Sequence, residues 1–461
     1  MTYFRLTQGL KNASIPSLLA CIAVLSGCGG GGGTSATTTT NTTTTTTTTT
    51  AGSTPTTSVT TPTACSLTAQ TGGIASGALA QLNHYRSAAF LGASLSPALL
   101  VSTDANLVTA AGNHSNYLSL LTSPSANVDP RTHDEVSTNP CFTGTTISAR
   151  IAAAENTDSM VGEDFSETSF ATSVVSQDAT LAANAGASIV DGLFNAVYHR
   201  MSLLSNFTNA GIAWQTSSNP NLPPTILTID LSQHQANTYN NFITYPYSGQ
   251  TGVFIDWLVD ENPCPLGCNN TGALAGFPIT IQTDGRTLVI SSFTVTSAGG
   301  SVSGNVLTAT AGTYVADAHL ATEFDRAAFV PLAPLSPNTT YTATVVGTSG
   351  GVAFSKTWTF TTLAITPLQL TSSASTVAVG GTFDLTFSGG SQNYNSTQPI
   401  RWSATNGPGA SPISLSNVLL ASNRYRFTYN GNCTLSSGCP VTFTGTDSQG
   451  NTGTVLVTVS P

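Results

Sequence analysis

The chain has 461 residues, with 12 Lys and Arg against 21 Asp and Glu, and only 7% of its residues are charged. The length accommodates about three domains. The net charge of −9 argues against a nucleic-acid partner, because displacing counterions from phosphates takes clustered Lys and Arg. Mean hydropathy is +0.11, and beyond residue 30 no run approaches the ~20 apolar residues of a membrane-spanning helix. Residues 64–245 carry 12 acids and 4 bases, 246–365 carry 7 and 3, and 366–461 carry 2 and 3. The acid is therefore concentrated in the first folded segment.

At the N-terminus, Arg5 and Lys11 precede an apolar run from Ile15 to Leu25, followed by Leu25-Ser26-Gly27-Cys28. A basic region, a short apolar region and small residues form a secretory signal. The Leu-Ser-Gly-Cys close resembles the lipobox of bacterial lipoproteins. That resemblance implies a signal peptide over 1–27, lipidation of Cys28, and an exported protein held at the outer membrane or cell surface by its acyl chains. Residues 28–63 then run through Gly29–Gly33 and a Thr-rich stretch with almost no large apolar side chains. Such a segment cannot offset its ordering entropy and reads as a tether of about 30 residues, reaching on the order of 100 Å when extended.

Beyond Cys21 and Cys28, six cysteines remain, an even number in an exported chain, which points to disulfides. Fifteen pairings are open. Proximity favours Cys264–Cys268 and Cys433–Cys439, leaving Cys65–Cys141, whose long loop is worth about 4.5 kcal/mol in the chain-entropy treatment. Zinc at Cys264 and Cys268 is disfavoured, since no further Cys or His is close in sequence.

In residues 74–90, Leu79, Leu82, Arg86 and Phe90 recur at helical spacing. Residues 102–121 place Leu107, Ala110, Ala111, His114, Tyr117, Leu118 and Leu121 on one face, with Ser102 or Thr103 as the expected cap and Asp104 near the positive end. Further helices are expected over about 146–156 and 185–201, and a strand at Thr225–Ile229. From about 246 strict alternation takes over, as in Thr357–Thr361, Arg424–Tyr429 and Val455–Val459. Short strands between turn clusters predict β-sandwiches. Leu335-Ser336-Pro337-Asn338-Thr339-Thr340-Tyr341 resembles the corner of fibronectin type III-like and bacterial Ig-like domains, in which the Tyr hydroxyl bonds nearby backbone. The expected boundaries are 64–245 for the mixed unit, 246–365 for one sandwich and 366–461 for a second.

Five short motifs in the mixed unit come in a recognisable order. They are Leu82-Asn83-His84-Tyr85-Arg86, Ala110-Ala111-Gly112-Asn113-His114, His133 with Arg150 after it, Val161-Gly162-Glu163-Asp164, and Tyr198-His199-Arg200 followed by Asn206, Phe207 and Gly211-Ile212-Ala213. Over about 74–231 the chain thus resembles the CAP superfamily, also called SCP or PR-1-like, in its bacterial form. Asp164 stands where the family has Asn, and Tyr198 where it usually has Gly. The resemblance implies an α-β-α sandwich in which His133, Glu163 and His199 meet in one cleft, with Glu135 as a fourth member. Two imidazoles and one or two carboxylates can hold a divalent cation, zinc or magnesium, with His133 and His199 as ligands, or support acid–base chemistry.

Other histidines read as structural or incidental. His114 lies on an apolar helix face and is expected to be buried; His84 is expected at the surface; His234 and His319 carry no motif. Ser137, Ser166 and Ser202 lack a nucleophile elbow. The function expected is non-catalytic binding of an extracellular lipid, cell-wall component or protein by a tethered CAP-like domain. The alternatives are a metal-dependent or acid–base hydrolase, and an adhesin acting through the sandwiches.

Overall fold

The structure is a computed structural model. It describes residues 65–461 and the backbone of 25–26, apart from 96–99, 124–128, 159, 171–174, 218, 234–240, 260, 263, 267–271, 284, 310, 315, 321–323, 392, 395–399 and 408–414. Cys28, the tether, His234 and Cys268 lie outside the described residues.

Among the described residues the first unit contains five helices: α1 (Ile74–Gly92), α2 (Ala105–Leu120), α3 (Ile147–Ala153), α4 (Ala179–Asn195) and α5 (Val197–Leu203). They pack on a four-stranded sheet of β1 (Ser102–Thr103), β2 (Met160–Thr168), β3 (Asn209–Thr216) and β4 (Thr225–Gln233), in the order β1-β3-β4-β2. Strand alternation sends residues to opposite faces. On one face Phe165 and Ile226 join Tyr117 and Leu118 of α2. On the other, Leu227, Ile229 and Leu231 join the core shared with α1, α4 and α5. Helices therefore cover both sides of the sheet. Helices α1 and α4 approach so closely that a Cβ on Gly77 would lie 2.1 Å from the Ala183 oxygen, and one on Gly186 1.9 Å from that of Ile74.

Two expectations shift. The cap of α2 is Asp104, which accepts from Leu107 N at 2.9 Å. Ser102–Thr103 instead form β1, parallel to Asn209–Ala210, so their backbone is already committed. The helix expected over 185–201 is two helices, broken at Ala196, which is extended (φ −73°, ψ 149°). The break is stabilised by Arg200, whose Nε donates to Phe194 O at 2.6 Å and whose NH2 donates to Asn195 O at 3.3 Å. Carbonyls at a helix end lack intrahelical donors, and the guanidinium supplies them.

Two β-sandwiches follow. In the first, one sheet runs 304–308, 326–331, 279–282, 243–245, and the other 300–301, 288–297, 340–349, 352–362, 250–253. The strand Ile243–Tyr245 thus pairs into the sandwich. Ser336 N donates to the Tyr341 hydroxyl at 2.8 Å, the bond that the corner motif led us to expect. In the second sandwich the sheets run 366–372, 382–390, 424–429, 415–421 and 376–378, 452–460, 439–446, 401–406. Phe383, Phe427 and Phe443 fill its core. This is the two-sheet architecture of immunoglobulin-like domains. Disulfides join Cys65 to Cys141 and Cys433 to Cys439. The expected Cys264–Cys268 link involves Cys268, outside the described residues. Among the described residues no helix is long and apolar enough to cross a membrane.

Candidate functional site: a buried ion network and a helix held across the module seam

Glu163 lies on β2 directly opposite Asp230 on β4. Its Oε1 is 2.7 Å from His133 Nδ1 and 3.5 Å from His114 Nε2, while its Oε2 accepts from Arg150 NH2 at 2.6 Å. Arg150 NH1 also donates to His133 O at 2.6 Å, fixing the loop that carries the imidazole. Glu135 completes the arrangement: its Oε1 is 3.0 Å from His114 Nδ1, and its Oε2 accepts from Thr143 N at 2.7 Å. His133 retains 9% exposure, whereas His114, Glu135, Arg150, Glu163 and Asp230 are at 1% or below. The network therefore reaches solvent at His133.

Its charges are sorted by environment. Burial pushes the Glu163 carboxyl up, but the charges of His114, Arg150 and His133 outweigh burial and hold it well below the ordinary range. Asp230 goes the other way: burial, reinforced by the Glu163 charge, raises it well above its ordinary value. Two carboxyls facing each other across a ladder cannot both ionise cheaply, so one keeps its proton.

The structure brings together His133, Glu163 and Glu135, and adds His114, Arg150 and Asp230. His199 is not a direct partner of Glu163. Alternation along β2 turns Asp164 to the opposite face from Glu163, and there Ser202 of α5 donates to Asp164 Oδ2 at 2.8 Å. Burial raises Asp164 to about 6, against the opposing charge of His199. His199 instead holds Glu261, with Nδ1 2.8 Å from Oε1. Glu261 also accepts from Val197 N at 2.8 Å, Tyr198 N at 2.7 Å and His199 N at 3.0 Å. The residue before α5 is Ala196, which has no capping side chain. A carboxylate 62 residues onward thus satisfies the donors that the helix start leaves open.

The rest of α5 is equally tied to the first sandwich. Tyr198 donates to Asp317 Oδ2 at 2.8 Å. Arg200 NH1 donates to Pro278 O at 2.5 Å, and the guanidinium lies 5.1 Å from the Tyr245 ring centre and 4.4 Å from that of Phe277. Burial lowers Arg200 to about 10, with Tyr245 and Glu261 opposing the drop. Beyond α5, Asn195 Nδ2 donates to Asn393 Oδ1 at 2.7 Å, and Asn393 Nδ2 to Asp256 O at 2.6 Å, which links all three units.

These residues do not fit the divalent site suggested by the sequence. Among the described residues no group of three or more His, Cys, Asp or Glu side chains is arranged to hold a metal ion. His133 and His199 each hold a separate carboxylate through Nδ1. His114 is buried as expected, but its bond to Glu135 makes it part of the network. Glu261 and Asp230 lie outside the five short motifs, so the sequence does not single them out. Asp230 was readable only through strand register. His319 is exposed, its ring 5.8 Å from that of Tyr198.

No family model matches the sequence, and no curated protein matches it. Solved structures with some likeness include a titin A168169 substructure, at 10% identity and TM-score 0.17, covering 46% of this chain and 95% of that one. The mouse nectin-like molecule 4 ectodomain (Ig1–Ig3) is 10% identical, with TM-score 0.17 and coverages of 54% and 81%. The Yersinia pseudotuberculosis adhesin InvE is 15% identical, with TM-score 0.17, and the match covers 40% of this chain and 53% of that one. The chain therefore spans about half the length of that adhesin. Likeness at this level says nothing about activity or partners.

Proposed function

We propose that this chain is an exported surface lipoprotein in which a CAP-type α-β-α unit and two Ig-like sandwiches act as one non-catalytic binding body. The observation that carries this reading is the use made of His199. Its imidazole and its backbone amide both hold Glu261 of the adjoining sandwich, so it serves assembly of the units. The His133–Glu163 pair is likewise engaged, braced by Arg150 and His114. Ser202 is bonded to Asp164, which gives a serine-based hydrolase reading no support. An adhesin acting through the sandwiches differs only in which face makes contact, and the Asn195–Asn393 link favours the units moving together. Anchoring rests on the Leu25-Ser26-Gly27-Cys28 motif, with lipid at Cys28 holding the chain at the outer membrane or cell surface.

The test is attachment. Particles coated with the full mature chain should adhere to cells, envelope material or matrix. The same protein should leave peptides, glycans and nucleic acids intact with added Zn²⁺ or Mg²⁺. Hydrolysis that His133→Ala abolishes while the fold is retained would overturn the reading. Labelling with a radioactive fatty acid, lost in Cys28→Ser, tests the anchor.

A further inference from the structure

We infer that the seam between α1 and the first sandwich holds a binding pocket for an uncharged pyranose sugar. This rests on the reading of the chain as a surface binding protein and names a ligand class for it. The pocket encloses about 260 Å³, and its walls come from α1 on one side and from residues 245–254 and Phe277 on the other. That lies just below the ~300 Å³ at which drug-sized sites begin, so the space suits a ligand no larger than a single sugar ring.

Aromatic rings make the walls. Tyr245 stands at 85° to Tyr85 and at 63° to Tyr247, with centroids 6.1 and 6.4 Å apart. Phe254 meets Phe277 at 68° and 6.0 Å. Edge-to-face pairs at these separations are in packing contact and make continuous aromatic walls, with Tyr85 stacked in turn on Phe194 at 4.1 Å. Their faces are electron-rich and attract the polarised C–H groups of a saturated ring.

The walls are fixed by their own bonds. Tyr85 donates to Asp191 Oδ1 at 2.7 Å. Gln250 donates to the Tyr245 hydroxyl at 3.3 Å and accepts from Tyr247 N at 2.9 Å. Arg200 lies over Tyr245 and Phe277, which leaves the half-buried Tyr247 and Phe254 as the platforms for a ligand. Gly92 ends α1 where a Cβ would come 2.6 Å from Tyr247 Cβ, so the helix end makes room for that platform.

The polar atoms on the walls indicate an uncharged guest. Among the described residues, no carboxylate, guanidinium or ammonium lines the pocket. Burial raises Tyr85 well above its ordinary value and Tyr245 to about 12, so these phenols stay neutral. His84 and Thr251, both exposed at the rim, add hydrogen-bonding tips. Alternating apolar faces and polar tips match a pyranose, which has C–H faces and a girdle of hydroxyls.

The test applies an array of neutral glycans and saturation-transfer NMR with methyl hexosides to the full mature chain. Binding to a subset of neutral hexoses is expected. Tyr247→Ala should weaken it at least about tenfold with the melting temperature retained. Should that variant unfold, Ala88→Trp, which fills the pocket from α1, should abolish binding. Absence of sugar binding, binding that survives both substitutions, or binding of alkyl or aromatic probes alone would overturn the inference. Adhesion without sugar dependence would sink the pocket and keep the proposed function. Tyr247-dependent sugar binding without adhesion would do the reverse.

Discussion

His133 and His199 each hold a glutamate through Nδ1, at 2.7 and 2.8 Å, yet the two pairs belong to different kinds of structure. The first is closed within one unit: His133, Glu163, Arg150, His114 and Glu135 all lie between residues 114 and 163. The second joins two units, since Glu261 comes from beyond the helical segment and caps the helix that carries His199. One pair therefore stabilises a fold and the other stabilises an assembly of folds. Similar geometry does not imply a shared site.

The comparison is broken most severely at its centre. Glu163→Gln should cost about 3–5 kcal/mol in denaturant unfolding, because Arg150 and two imidazoles lose their buried counter-charge. The Glu163 pKa lies below its unfolded value. Its contribution is therefore present above the ordinary carboxylate pKa and is lost as pH falls toward the depressed one. Equal unfolding midpoints for wild type and Glu163→Gln at pH 7 would refute the internal network.

Asp164 should have the opposite sign. Its folded pKa, about 6, is raised from 3.8. The native state thus binds the extra proton, and stability falls as pH rises between these values. Asp164→Asn keeps an acceptor for Ser202 and removes the ionisation. It should stabilise the protein by on the order of 2–3 kcal/mol above pH 6 and by nothing measurable below about pH 4. Parallel melting curves of wild type and variant from pH 4 to 8 check this.

Glu261→Gln should cost about 2 kcal/mol, since charge-assisted bonds to four N–H groups become neutral or are lost. Amide exchange should quicken at Val197, Tyr198 and His199 while β2 around Glu163 stays protected. Uniform quickening across both regions would mean that the pairs are not separable. The smallest expected effect is that of Tyr198→Phe, which removes one bond to Asp317. It should cost about 1 kcal/mol and leave the Glu163 network unchanged by imidazole NMR.

What could be read from the sequence was what is local. Helical spacing located α1 and α2, and strict alternation located the strands at 352–362, 424–429 and 452–460. The corner motif predicted the Tyr341 bond because donor and acceptor lie five residues apart. That His133, Glu163 and His199 would meet in one cleft was an expectation of the CAP resemblance, and His133 and Glu163 are in contact while His199 holds Glu261. What could not be read depended on distant partners. The break at Ala196 needs Arg200 folded back on α4. Glu261 stands in a short strand, Glu261–Asn262, without a motif, so nothing marks it as the cap of α5. His84 read as a surface residue, and only the packing of α1 on the sandwich puts it at a pocket rim.

Arg200 has a practical consequence for anyone dividing this polypeptide. Its guanidinium is walled by Tyr245 and Phe277 and bonded to Pro278 O. A gene ended after codon 245 would encode a fragment lacking Phe277, Pro278 and Glu261, with a cation facing solvent where it had been roofed. Such a product is expected to be sticky, or to borrow its lid from a second molecule, and conclusions about ligands drawn from it would describe the damage. Cuts placed beyond residue 365 spare this joint and instead expose the Asn195–Asn393 contact and the bonds of Asn393, Ser448 and Gln449 to Asp256.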